Sequence, residues 1–170
     1  MPNDMKRMTD TQEERAKPEP KIERKGALLL AGMRYEGTNE HGEIPALWDQ
    51  FMPRVAELIS DPARLVAYGV ARALPNSVEG GPFEYLACVE VPALENLPTG
   101  MVGWKVPAMT YAILPAHGIP GIGPVSDYFY HEWLPQSKEY EMGDGLMIEY
   151  YPETFGQDLT IYLHFPVRRT

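Results

Sequence analysis

One residue able to do chemistry sits where a charge is least expected. Glu149 lies inside Leu146-Met147-Ile148-Glu149-Tyr150-Tyr151, a run otherwise apolar or aromatic, opened by Gly143-Asp144-Gly145 and closed by Pro152. Such a run reads as a short strand. Side chains alternate along a strand, so Glu149 shares a face with Met147 and Tyr151, while Leu146, Ile148 and Tyr150 take the other. Both faces are greasy. One reading makes the carboxylate structural, either bonded to tyrosine hydroxyls or exposed on an edge strand. The other makes it a tool. Desolvation raises a carboxyl pKa, which suits a general acid or base, and a buried carboxylate also supplies the counter-charge for a bound cation. The local pattern leaves both readings open.

Other chemistries find little support in the chain. His41, His117, His131 and His164 are scattered without metal-ligand spacing and read as surface or lightly packed residues. No cofactor signature is present: Gly118-Ile119-Pro120-Gly121-Ile122-Gly123 lacks a phosphate-loop spacing, and no serine sits in a nucleophile elbow. Cys88, the single cysteine, reads as a small buried apolar residue. What the chain does hold is aromatic surface. Tyr35, Tyr68, Tyr85, Tyr111, Tyr151, Tyr162, Phe129 and Trp133 all fall on strands or helices expected to face one another. Most aromatics at such spacing are plain core. A cleft walled by these rings around one carboxylate would nonetheless stack a flat, lipophilic cation and neutralise it.

The elements that must position these residues follow from periodicity. Residues 1–24 read as a disordered polar leader, with dense mixed charge and three prolines. Ala27–Tyr35 reads as a first strand. Ile44, Leu47, Trp48, Phe51, Val55, Leu58 and Ile59 form one face of a helix kinked at Pro53. Strands are expected over Leu65–Leu74 and Phe83–Val91. A further strand covers Met101–Leu114, bent or broken at Pro107, before a Pro/Gly loop from Pro115 to Gly123. A helix over about Pro124–Leu134 stopped by Pro135, then strands Leu146–Tyr151 and Leu159–Val167, complete the set.

The second half repeats the first. Gly32-Met33-Arg34-Tyr35 parallels Ala108-Met109-Thr110-Tyr111, Phe51-Met52-Pro53 parallels Trp133-Leu134-Pro135, and Val91-Pro92 parallels Phe165-Pro166. The expected fold is therefore α+β: two pseudo-symmetric strand–helix–strand–strand repeats, 25–95 and 100–170, sharing an antiparallel sheet with a ligand cleft at their seam. At an offset of 81, Glu149 would fall opposite Tyr68. Charge narrows the partners. The chain carries a net −9, with +1 in its first 25 residues and −10 in the rest. That body repels nucleic-acid backbone and favours cations. No apolar run approaches a membrane span and no signal-peptide core is present, so a cytoplasmic protein away from the membrane is expected.

Taken together, Leu30–Tyr35, the Trp48 helix, Val106–Ala112, Trp133-Leu134-Pro135, Ile148–Pro152 and Ile161–Val167 resemble the GyrI-like small-molecule-binding domain. That module is the effector-binding part of many bacterial AraC- and MerR-type transcription regulators. The resemblance covers about 25–167 and implies a two-repeat fold with a central cleft. Glu149 would be its pocket carboxylate, and Trp133, Tyr162 and the first-half tyrosines its walls. With no room for a helix-turn-helix in the leader, a stand-alone multidrug-type binder is expected. Two alternatives come with the resemblance: a hydrolase of cyclopropane-bearing genotoxic compounds using Glu149 as base, and a module contacting a protein such as gyrase.

Overall fold

The computed structural model describes residues 18–170. Of the expected leader, residues 1–17 lie outside the described residues. The rest of it is not a leader: Lys21–Lys25 is strand β1. β2 follows at Leu28–Gly37, then helix α1 at Glu43–Phe51. α1 passes into a 3₁₀ segment, Met52–Glu57, at Pro53, whose ring forbids an α-turn onto the carbonyl four residues back. β3 (Ala67–Ala73) and β4 (Phe83–Glu90) close the first repeat.

Pro107 breaks the long strand of the second half into β5 (Val102–Val106) and β6 (Met109–His117). β6 runs through Pro115 to His117, where the proline suggested a loop. β1 pairs with β6 only as far as Ile113, so Pro115 lies on a stretch whose outer edge is free and needs no N–H there. α2 spans Ile122–Tyr128 and continues through a π-helical turn, Phe129–Trp133, into α3, Leu134–Gln136, which ends one residue past Pro135. β7 (Tyr140–Met142), β8 (Leu146–Tyr151), the single-turn helix α4 (Phe155–Asp158) and β9 (Thr160–Arg169) finish the chain. No helix among the described residues is long and apolar enough to cross a membrane.

The strands form one antiparallel sheet in the order β1-β6-β9-β8-β3-β4-β2-β5, with β7 paired on β9. That order is a palindrome of two repeats about the β8–β3 seam. The registers agree with it: Lys21↔Ile113 in β1–β6 recurs as Val102↔Gly32 in β5–β2, 81 residues on for each strand. Leu30↔Glu90 recurs as Tyr111↔Pro166, and Tyr68↔Cys88 as Ile148↔His164. Each repeat's leading strand, β1 or β5, crosses over and caps the far edge of the other repeat.

Alternation sorts the side chains cleanly. On one face Ala31, Tyr85, Ala87, Leu114, Leu163 and Phe165 pack under the helices. The other face carries Leu30, Tyr68, Val70, Leu86, Trp104, Tyr111 and Ile148, all from strands, yet these are buried too. They are buried because the sheet curls on itself. Val106 at one end of the strand order and Met109 near the other are joined by Pro107-Ala108 alone, a span of at most about 10 Å. Gly26-Ala27 likewise joins β1 to β2. The second face is thus the lumen of a nearly closed barrel.

Candidate ligand-binding cleft

Glu149 stands at the middle of β8, directly across the seam from Gly69 of β3. Under the two-fold relation these two positions are equivalents of each other. Tyr68, expected opposite the glutamate, instead pairs with Tyr150 and points into the lumen. The cause is a one-residue difference in register, which moves a side chain to the other face. A phenol does meet the carboxylate, but it comes from β4. Tyr85 Oη donates to Glu149 Oε1 at 2.7 Å, and Tyr151 Oη donates to the same oxygen at 3.0 Å. Trp48 Nε1 on α1 donates to Tyr85 Oη at 2.9 Å, leaving the phenol proton for the carboxylate. Gly69 makes this possible, because a Cβ there would fall against Tyr85 Oη and Glu149 Oε1.

Both tyrosine bonds land on Oε1. Among the described residues Oε2 has no hydrogen-bond partner. Glu149 is 8% exposed, and burial pushes its pKa above the ordinary carboxylate value, partly offset by the hydrogen bonds from Tyr85 and Tyr151. Burial, then the neighbouring carboxylate, drives Tyr85 and Tyr151 upward as well, so both phenols stay protonated donors at neutral pH. Such a carboxylate is poised either to lose its proton beside a cation or to exchange one with a water.

Above Glu149 opens a cleft of about 710 Å³, within the range that encloses drug-sized molecules. Its floor is Ala67, Tyr85, Glu149 and Tyr151. One wall is α1, through Ile44 and Trp48, with Met52 of the 3₁₀ segment after it; the other is the second repeat, through Ile119 and Ile122. Phe155 of α4 closes an end. The Trp48 ring meets Tyr151 edge-on at 5.4 Å, and Tyr151 meets Phe155 edge-on at 5.1 Å. Two further carboxylates, Asp49 and Glu153, border the cleft, and among the described residues no Lys, Arg or His lines it. Arg64 reaches Glu153 from outside at 3.2 Å.

Of the candidate residues that the sequence offers, the fold gathers Glu149, Tyr85 and Tyr151. Tyr35 acts from behind: its hydroxyl accepts from Asn39 N, and Asn39 Oδ1 accepts from Ile44 N, fastening the β2–α1 loop at the rim. Phe129 is core, stacked on Phe165 at 4.1 Å. Trp133 stacks beyond Phe129 and donates to Glu19, away from the carboxylate. Tyr68, Tyr111 and Tyr162 face the lumen side. Trp48, Asp49, Glu153 and Phe155 line the cleft without standing out in the sequence. Trp48 carries a usable signal, since an indole on a buried helical stripe needs a partner for its N–H. Cys88 is fully buried, and burial raises its thiol well above the usual range.

Residues 21–167 match the Cass2 family of integron-associated effector-binding proteins. The chain belongs to that family. As a Cass2 protein it is an effector-binding, small-molecule-binding domain of the GyrI-like kind. It is 32% identical over 136 residues to the transcriptional regulator BrlR of Pseudomonas aeruginosa, covering 79% of this chain and 48% of BrlR. The Cass2 chain therefore spans about half the length of that relative. Its fold matches the integron cassette protein VCH_CASS2 of Vibrio cholerae (TM-score 0.61, 18% identity, 88% of this chain and 96% of that one). It also matches SAV2435, a protein whose structure was determined bound to tetraphenylphosphonium (TM-score 0.63, 14% identity, 89% and 94% covered).

Proposed function

We propose that the protein binds hydrophobic, aromatic cations in this cleft, with Glu149 as the counter-charge. One observation carries the reading: a buried carboxylate with an oxygen to spare, in an aromatic lining whose described residues include three acids and no base. An anionic ligand would meet uncompensated repulsion there. A neutral one would leave Glu149 desolvated and unpaired, whereas a cation relieves that penalty while the Trp48, Tyr151 and Phe155 rings supply contact area and cation–π attraction. A diffuse charge suits a site offering one acceptor oxygen and many ring faces. Tetraphenylphosphonium, found on the similarly folded SAV2435, is a ligand of this class.

The test is a titration of tetraphenylphosphonium and of a cationic dye such as ethidium against wild type and Glu149→Gln. Gln keeps one acceptor oxygen for both tyrosines, loses the charge and puts an NH2 where the spare oxygen stood. Affinity is expected to fall about tenfold or more, equivalent to at least about 1.4 kcal/mol. Equal affinity in the two proteins would remove the counter-charge from the account.

A further inference from the structure

Glu149 points into the cleft, but its neighbours Ile148 and Tyr150 point through the sheet into the barrel lumen. At one mouth of that lumen, beneath Gly26-Ala27, lies a second cavity of about 530 Å³. Tyr68, Tyr150, Tyr162 and His164 line it as a ladder of rings. Tyr150 lies 5.5 Å from Tyr68, 6.3 Å from Tyr162 and 5.8 Å, nearly parallel, from His164.

Tyr68 and His164 are each 9% exposed. Among the described residues, neither the Tyr68 hydroxyl nor the His164 imidazole has a hydrogen-bond partner; Cys88 Sγ reaches the Tyr68 carbonyl, not its phenol. The polar atoms of both stay within reach of solvent, whereas Tyr111 Oη on the same cavity wall is the one buried side-chain polar atom among the described residues with no partner, and together the three mark unused recognition capacity. Unlike the acidic cleft, this cavity is charge-balanced. Lys21 and Lys25 of β1 both bridge Glu23, and Glu90 stands as the second acid. Burial, with Lys25 adding to it and Glu23 opposing, pushes the His164 pKa down to about 4. The ring is therefore neutral at pH 7 and keeps one acceptor nitrogen.

We propose that this cavity is a second small-molecule site, for a flat, uncharged aromatic compound with a hydroxyl. Such a compound stacks along Tyr150, donates to His164 and accepts from Tyr68. The two sites lie back to back on β3 and β8, which supply Glu149 to one and Tyr68 and Tyr150 to the other.

The experiment is calorimetric titration of the full chain with 2-naphthol and with naphthalene, which has the same shape without the hydroxyl. 2-Naphthol is expected to bind one-to-one and about tenfold or more tighter than naphthalene. Tyr68→Phe and His164→Gln should each weaken it by about tenfold, while a tetraphenylphosphonium titration stays as in wild type. The proposal is overturned by absence of 2-naphthol binding, by equal affinity for naphthalene, or by displacement of 2-naphthol by tetraphenylphosphonium, which would place it in the cleft. If His164→Gln does not fold, Tyr68→Phe decides, since it removes one oxygen and keeps the packing; unchanged affinity there also overturns it.

Discussion

Burial raises the pKa of Glu149, and that shift makes the residue's effect on stability measurable apart from binding. A raised folded-state pKa means the folded protein holds the proton more tightly than the unfolded chain. The resulting stabilisation is complete below the ordinary carboxylate value of 4.5 and is lost as pH rises through the raised value. At a pH above that raised value the free protein carries an ionised, desolvated carboxylate that Gln would not. Glu149→Gln is therefore expected to melt higher than wild type at that pH, with the gap closing toward pH 4.5. Thermal melts of the two proteins across this range check it, and a pH-independent difference would contradict it. The position of Glu149, its face and its company with Tyr151 are all legible in the sequence, because strand alternation is a local property. Tyr85 is recognisable as a candidate, but its bond to the carboxylate is not: that contact exists only once β4, β3 and β8 are laid side by side.

Among the elements, hydrophobic periodicity finds each strand that packs a greasy face and the helices at α1 and α2, but not the single turn α4. It misses β1 and β7, and for the same reason. An edge strand is held by backbone bonds, and its side chains are free to be charged, as Lys21, Glu23, Arg24 and Lys25 are. The distinction matters for where the folded part starts. A chain beginning at residue 18 keeps β1, whereas one beginning at 26 strips its five pairs from β6 and exposes a strand edge. The shorter chain is expected to melt lower and to self-associate, visible as an earlier-eluting species in gel filtration. Equal melting and elution would mean that β1 contributes little. Trp133 shows the complementary limit of periodicity: its helix is placed correctly, but which neighbour the ring meets depends on how α2 and α3 lie across β9.

At the scale of the whole molecule, the acidic body and the acidic cleft act together. On the proposed function, a cationic ligand would be drawn in from a distance by the net charge and held at contact by Glu149. Raising salt from about 10 to about 150 mM shortens the screening length from about 30 Å to about 8 Å. Stopped-flow mixing with a cationic dye should show the association rate falling several-fold, with a smaller change in dissociation. An association rate insensitive to salt would separate the surface charge from ligand capture. The duplication is legible as element order and as short matched segments. The register is not, because the offset is 81 over the leading strands and shorter over β4 and β9, so no single shift aligns the halves.

The exchange of β1 and β5 between repeats has a consequence for ancestry. A single unit of this kind could shelter its edges only by trading leading strands with a twin, so the architecture is that of a strand-swapped homodimer fused into one chain. In such a dimer the residue on the two-fold axis meets its own copy: two glutamates would repel, and two glycines would leave the cleft floor without its buried carboxylate. Gly69 facing Glu149 is an arrangement open only to a fused chain, in which one half can give up its side chain so that the other can keep its charge.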